Sequence, residues 1–222
     1  MSRFLLVFDL DGTLVDSAPD LRAALNQMLR ERGHPALSLP QVKRMIGDGA
    51  PAMVARALAA SGADPTDAAG ALPRFLEIYE ANPVRLTRPY PKVPETLTTL
   101  RRRGYRIAIC TNKPQRATIA VVEGLGLAEL FDGIAGGDRF PVKKPDPGHL
   151  LGLIAELGGR VGASALIGDN ENDAAAARAA GVPLVLRRYG YARVDPESLA
   201  ADALLDHFAE LPRALAQLDL AP

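Results

Sequence analysis

The sequence predicts an α/β protein: a mainly parallel sheet interrupted by a block of helices. Three observations predict it. The run Phe4-Leu5-Leu6-Val7-Phe8 is apolar throughout, as a strand buried on both faces requires. From about residue 90 onward, helical and strand patterns alternate, the mark of βα units. Between the two, residues 16–89 read as helical with no clear strand.

The elements follow in order. After Phe8 comes a polar turn, Asp9-Leu10-Asp11-Gly12-Thr13. Leu21, Leu25, Met28 and Leu29 recur at the spacing of one helix face. Ser17-Ala18-Pro19-Asp20 before them reads as a capping box with proline in the first turn, and Gly33 as the stop. Val54 and Leu58, then Leu72, Phe75, Leu76 and Tyr79, mark further helical faces. Beyond Pro89-Tyr90-Pro91, helices over Val93–Arg103, Gln115–Leu125, Gly148–Leu157 and Asn172–Ala180 alternate with strands over Arg106–Cys110, Gly133–Gly136, Ala165–Gly168 and Leu184–Leu186. The simplest architecture is a Rossmann-like core, residues 1–15 and 90–222, with residues 16–89 as a helical cap inserted after the first strand.

Composition narrows the function classes. At ~150 residues per domain, a chain of 222 residues suits one domain with a large insertion. Twenty-six basic residues balance twenty-six acidic ones, so no charge footprint favours nucleic acid or an anionic membrane. No run approaches the ~18 apolar residues of a membrane span. The N-terminal apolar run is too short for a secretory signal, so the expected location is the cytoplasm. Cys110 is the only cysteine, which excludes an internal disulfide, and its apolar strand makes it a core residue. The expected partner is a small molecule, and the expected state a monomer or homodimer.

Open α/β sheets bind ligands at the carboxyl ends of their strands. Those ends deliver Asp9 and Asp11, then Thr111, Asn112 and Lys113, then Asp169 and Asp173, with Lys143-Lys144-Pro145 nearby. Carboxylates brought together repel and call for a cation. Mg²⁺ prefers oxygen ligands and keeps room for a phosphate. A lysine and a hydroxyl beside it suit phosphate oxygens. The set points to phosphoryl transfer, with one aspartate as nucleophile and another moving protons.

The same residues carry a family resemblance. Asp9-Leu-Asp11-Gly12-Thr13-Leu-Val-Asp16-Ser17, Thr111 after an apolar strand, Lys144-Pro145-Asp146-Pro147 and Gly168-Asp169-Asn170-Glu171-Asn172-Asp173 resemble, in order, the four signatures of the haloacid-dehalogenase-like (HAD) superfamily. The resemblance implies a HAD-like core with a C1-type cap and a Mg²⁺-dependent hydrolase. It makes Asp9 the nucleophile and Asp11 the general acid/base. Asp9, the Asp11 carbonyl, Asp169 and Asp173 would hold Mg²⁺, while Thr111 and Lys144 steady the phosphoryl group. The second aspartate, Asp11, implies phosphatase or phosphomutase chemistry rather than dehalogenation. Thr111-Asn112-Lys113-Pro114, Ile46-Gly47-Asp48-Gly49, Arg88-Pro89-Tyr90-Pro91 and Tyr189-Gly190-Tyr191 look like the bacterial phosphoglycolate phosphatases, which implies hydrolysis of 2-phosphoglycolate. Lys92 stands where glycine is common in that group, and Asn170 where serine is.

Thr13, Asn112, Gly47 and Gly49 complete the expected substrate contacts. Gly47 and Gly49 lie in a cap loop where missing side chains let backbone N–H groups approach a carboxylate. The loose G-x-G-x-x-A pattern there follows no strand, which argues against a dinucleotide. The Asp9 turn lacks the glycine spacing of a calcium loop. Arg44 and Arg88 read as surface charges, and His34, His149 and His207, with no shared spacing, as structural. Two other classes stay open: a phosphomutase of the same fold and a regulatory protein on the same scaffold.

Overall fold

The computed structural model describes residues 4–220. In chain order its elements are β1 (Leu5–Phe8), β2 (Val15–Asp16), α1 (Ala18–Glu31), α2 (Leu39–Lys43), α3 (Ala50–Ala60), α4 (Ala68–Ala81) and β3 (Arg88–Pro89). There follow α5 (Val93–Arg102), β4 (Arg106–Cys110), α6 (Gln115–Gly124), β5 (Gly133–Ala135), α7 (Pro147–Glu156), β6 (Ser164–Gly168), α8 (Glu171–Ala180), β7 (Leu184–Arg187), β8 (Ala203–Leu205) and α9 (Leu211–Gln217).

The main sheet has the order β5-β4-β1-β6-β7-β8, and every pairing in it is parallel. Side chains alternate between its faces. Leu6, Phe8, Ile107, Ile109 and Ile167 enter one apolar core, and Leu5, Val7, Ala108, Cys110 and Leu166 the other. Both faces are covered, which is why β1 needs no polar alternation. Cys110 is buried in the second core, and burial pushes its thiol up to about 12.

The chain runs from β1 to β4 and β5 on one side, then crosses to β6, β7 and β8 on the other. The crevice where the direction switches lies at the carboxyl end of β1. The helices α1 to α4 leave and return through an antiparallel pairing of β2 with β3, Val15 opposite Pro89 and Asp16 opposite Arg88.

One local expectation is corrected, one strand is added and one departure is explained. Ser17 does not cap α1: its backbone is helical, and its hydroxyl is buried without a partner. Asp20 instead accepts hydrogen bonds from the backbone N–H groups of Leu86 and Thr87 and from the Thr87 hydroxyl, at 2.7–2.8 Å for Oδ2. It ties the start of α1 to the return path at β3. Residues 203–205 form a sixth strand that shows no periodicity, being three residues long between Asp202 and Asp206. Lys92 adopts a left-handed backbone, φ 69°, as it enters α5, which explains why glycine suits this position.

Candidate active site

The carboxyl ends of β1, β4 and β6 converge. The Asp9 N–H donates to the Ile167 carbonyl at 2.9 Å, which locks the turn after β1 against β6. Asp169 follows β6, and Asp173 sits in the first turn of α8. Asn170 begins that helix, accepting from the Asn172 N–H at 2.9 Å, while Asp173 Oδ2 accepts from the Asp169 N–H at 3.1 Å. The cap therefore fixes two of the acids relative to each other.

Asp9, Asp169 and Asp173 are buried, and one carboxylate oxygen from each lies within 4.8 Å of the others. Lys144 Nζ reaches Asp173 Oδ1 at 2.6 Å and Asp9 Oδ1 at 3.0 Å. Burial pushes Asp9 up to about 6, opposed mainly by Lys144. Burial, then the Asp9 and Asp173 charges, also raises Asp169. One ammonium against three acids leaves negative charge uncompensated in a low-dielectric site. The donors are all oxygens, and Asp9 Oδ1, buried, meets the Lys144 ammonium at 3.0 Å without a well-formed hydrogen bond. A hard divalent cation fits that set.

Asp169 is held from every side. Thr13 Oγ1 donates to Oδ1 at 3.0 Å, Asn170 Nδ2 donates to the same oxygen at 3.2 Å, and the Tyr191 N–H donates to Oδ2 at 2.6 Å. Gly12 stands at φ +91°, and a Cβ there would lie 2.2 Å from Asp169 Oδ2. The glycine of the Asp9 turn is thus a space reserved for Asp169.

Beside the acids is a cavity lined by Asp9, Asp11, Thr111, Asn112 and Lys113. Leu21, Ile46, Met53, Phe75 and Leu76 make its apolar wall, with Gly47, Gly49 and Tyr79 also lining it. Lys113 Nζ donates to Asp11 Oδ2 at 3.0 Å and Oδ1 at 3.2 Å, and lies 4.4 Å from the centre of the Tyr79 ring. Burial works against the Lys113 charge, but Asp11 and Tyr79 raise its proton affinity overall. Burial pushes the Tyr79 hydroxyl up to about 12.

The expected residues thus divide. Asp9, Asp11, Thr111, Gly47 and Gly49 line the cavity, and Asp169, Asp173 and Lys144 form the charged cluster beside it. Thr13, expected at the substrate, is fully buried and spends its hydroxyl on Asp169. Asn112 also braces the site, donating through Nδ2 to the Gly47 carbonyl at 2.9 Å and the Lys144 carbonyl at 2.7 Å. The contact Gly47 makes with the core is therefore through its carbonyl, which also accepts from Asn172 Nδ2 at 3.2 Å. Arg44 and Arg88 are exposed, and Arg88 donates to the Val84 and Thr87 carbonyls.

Sequence reasoning gave no role to Lys113, Tyr79, Asp48 or Arg187. Asp48 accepts from Asn172 Nδ2 at 2.6 Å and pairs with Arg56 and Arg193. Burial opposes its charge, but Arg193, Asn172 and Arg56 together hold its carboxyl well below the usual range. Arg187 is buried between the rings of Tyr90 and Tyr189, at 4.1 and 3.3 Å from their centres. Burial pulls its guanidinium down to about 9, still charged at neutral pH. The one available signal was positional: Lys113 and Arg187 sit at or beside strand ends.

A fold with its acids at the β1 and β6 ends matches a known family. The model of the haloacid dehalogenase-like hydrolases matches residues 5–181, and the chain belongs to that family. Within it, the chain is 40% identical to the phosphoglycolate phosphatase of Caulobacter vibrioides, over 94% of this chain and 89% of that one. It is 44% identical to the phosphoglycolate phosphatase of Rhodospirillum rubrum, over 93% of this chain and 88% of that one. The crystal structure of a predicted phosphoglycolate phosphatase from Haemophilus somnus 129Pt superposes with a TM-score of 0.90 at 31% identity, covering 96% of this chain and 98% of that one. Among the described residues, no helix is long and apolar enough to cross a membrane.

Proposed function

We propose that the chain is a Mg²⁺-dependent phosphatase that hydrolyses 2-phosphoglycolate to glycolate and phosphate. The observation that carries this reading is the buried acidic cluster opening onto a cavity that already holds an acid–lysine pair. The identity to curated phosphoglycolate phosphatases over nearly the whole chain supports the substrate.

The residues take the following roles. Asp9 attacks phosphorus; its carboxylate forms a new P–O bond as the ester P–O bond breaks. Asp11 donates a proton to the departing glycolate oxygen. Asp11 then takes a proton from water, whose oxygen attacks phosphorus and releases Asp9 and inorganic phosphate. Lys144 and Thr111 hold the phosphoryl oxygens, with Lys144 also orienting Asp9. Asp9, Asp169, Asp173 and the Asp11 carbonyl would hold Mg²⁺. Bound there, the ion offsets charge on the phosphoryl oxygens and keeps the acids from repelling the substrate. Residues 16–89 act as the cap, which shields the first transfer from water. The working location on this reading is the cytoplasm.

Phosphate release from a panel of phosphomonoesters with saturating Mg²⁺, and again with EDTA, tests the reading. The expected result is a kcat/KM for 2-phosphoglycolate at least about tenfold above hexose phosphates, nucleotides and pyrophosphate, a difference of ~1.4 kcal/mol. EDTA should abolish release, and so should Asp9→Asn, without unfolding the protein. A flat profile, or turnover by Asp9→Asn, overturns the substrate or the nucleophile respectively.

A further inference from the structure

We propose that Lys113 and Tyr79 form the subsite for the substrate's carboxylate, so that the preferred substrates are short phosphorylated acids rather than phosphorylated alcohols. The inference rests on the phosphatase reading and names what selects the leaving group.

The cavity wall is mostly apolar, and Lys113 is the one cation among its described lining residues. Lys144 is engaged by two carboxylates, and Arg56 and Arg193 by Asp48. Lys113 is only 4% exposed at its side chain. Burying an ammonium there costs several kcal/mol and needs a reason. Asp11 supplies a counter-charge, yet two of the three N–H donors satisfy that pair. Tyr79 stands beside the same ammonium, its ring centre 4.4 Å from Nζ and its hydroxyl adding to the proton affinity of Lys113.

Tyr79 is the second, independent observation. It is 2% exposed, it lines the same cavity, and its buried hydroxyl, beside the Lys113 ammonium, has no acceptor for its own proton. Phenylalanine would fill the same space without that cost. A Tyr O–H proton left without an acceptor next to an ammonium is what a site built for an absent acceptor contains. A carboxylate takes both groups: one oxygen from the Lys113 ammonium, the other from the Tyr79 hydroxyl. A neutral alkyl group takes neither and leaves both unsatisfied, which gives the discrimination its size.

The test compares 2-phosphoglycolate with ethyl phosphate, which has the same carbon count and no carboxylate. The readout is the ratio of their kcat/KM values, in which any general damage cancels. In Tyr79→Phe the ratio should fall about tenfold, chiefly through KM for 2-phosphoglycolate, with no loss of thermal stability. Binding of glycolate, measured by calorimetry, is the second readout and does not depend on turnover. Lys113→Met should weaken it at least about tenfold. If the wild-type protein prefers 2-phosphoglycolate and Tyr79→Phe keeps both that preference and its glycolate affinity, the subsite is wrong while the phosphatase reading stands. If the wild-type protein turns over both substrates alike, the substrate reading fails and the subsite falls with it.

Discussion

Single residues in this site are constrained less by what they do than by what stands behind them. Asp169 shows this most clearly. Its carboxylate is fixed by Thr13, Asn170 and the Tyr191 backbone, and packed against Gly12. The Gly12 position combines a left-handed backbone with a contact that leaves no room for a methyl group. Gly12→Ala therefore adds a backbone cost of about 1–2 kcal/mol and displaces Asp169. The displacement should matter more than the strain, because it moves a proposed metal ligand. The expected outcome is at least a tenfold loss of kcat and a higher Mg²⁺ concentration for half-maximal phosphate release. A Mg²⁺ titration of activity reads both, and an unchanged midpoint would separate Gly12 from the metal site. Thr13 shows how a motif residue can be legible by position while its contact is not: its hydroxyl donates to Asp169.

At the scale of elements, the sheet and its crossover helices were readable, and the short pairing that leads into and out of the helical block was not. The strands β1, β4, β6 and β7 announce themselves because each is a mainly apolar, buried run, while the half-buried edge strand β5 shows only through its place in the alternation. Their order places Asp9, Thr111 and Asp169 at one edge, so the heart of the site follows from where strands end. The two-residue strands β2 and β3 carry no periodic signal at all. The pairing of Lys113 with Tyr79 escaped for a different reason. They lie far apart in sequence, on the β4 end and on α4, and only tertiary packing joins them. Tyr79 in particular sits on the same apolar face as Phe75, so its period reads as core. Asp20 was misread likewise, as a cap for its own helix when it serves the distant return path. That path makes a prediction. Asp20→Ala strands the N–H groups of Leu86 and Thr87 and the Thr87 hydroxyl, costing about 3 kcal/mol. For a chain of this size that is a fall in Tm of roughly 6–12 °C. Asp20→Asn, which keeps one acceptor oxygen, should lose less. Thermal unfolding followed by circular dichroism checks the order; equal stability of all three proteins would remove Asp20 as the tie.

The whole molecule is held at its centre by groups that repel. Asp9, Asp169 and Asp173 face one another around a single lysine, in a buried place where charge is poorly screened. Around them the chain has brought together parts distant in sequence: Gly47 and Asp48 from the helical segment, Asn112 from β4, Asn172 from α8 and Arg193 beyond β7. A cation that binds only this assembled arrangement stabilises all of it through mass action. At one hundred times its dissociation constant the gain is about 2.7 kcal/mol, which for a chain of this length raises Tm by roughly 5–10 °C. The direction follows from the charges: metal removal restores the repulsion and lowers Tm, and monovalent salt at equal ionic strength does not substitute. Asp169→Asn removes one ligand charge and relieves part of that repulsion. It also removes an acceptor that Thr13, Asn170 or the Tyr191 N–H uses, so its metal-free Tm reflects both effects and the readout is its response to Mg²⁺, which should be largely lost. Scanning calorimetry with Mg²⁺ and with EDTA on both proteins distinguishes the possibilities. A wild-type Tm indifferent to Mg²⁺ would show that the acidic cluster is held by Lys144 and its hydrogen bonds alone, and would take the metal out of the proposed mechanism.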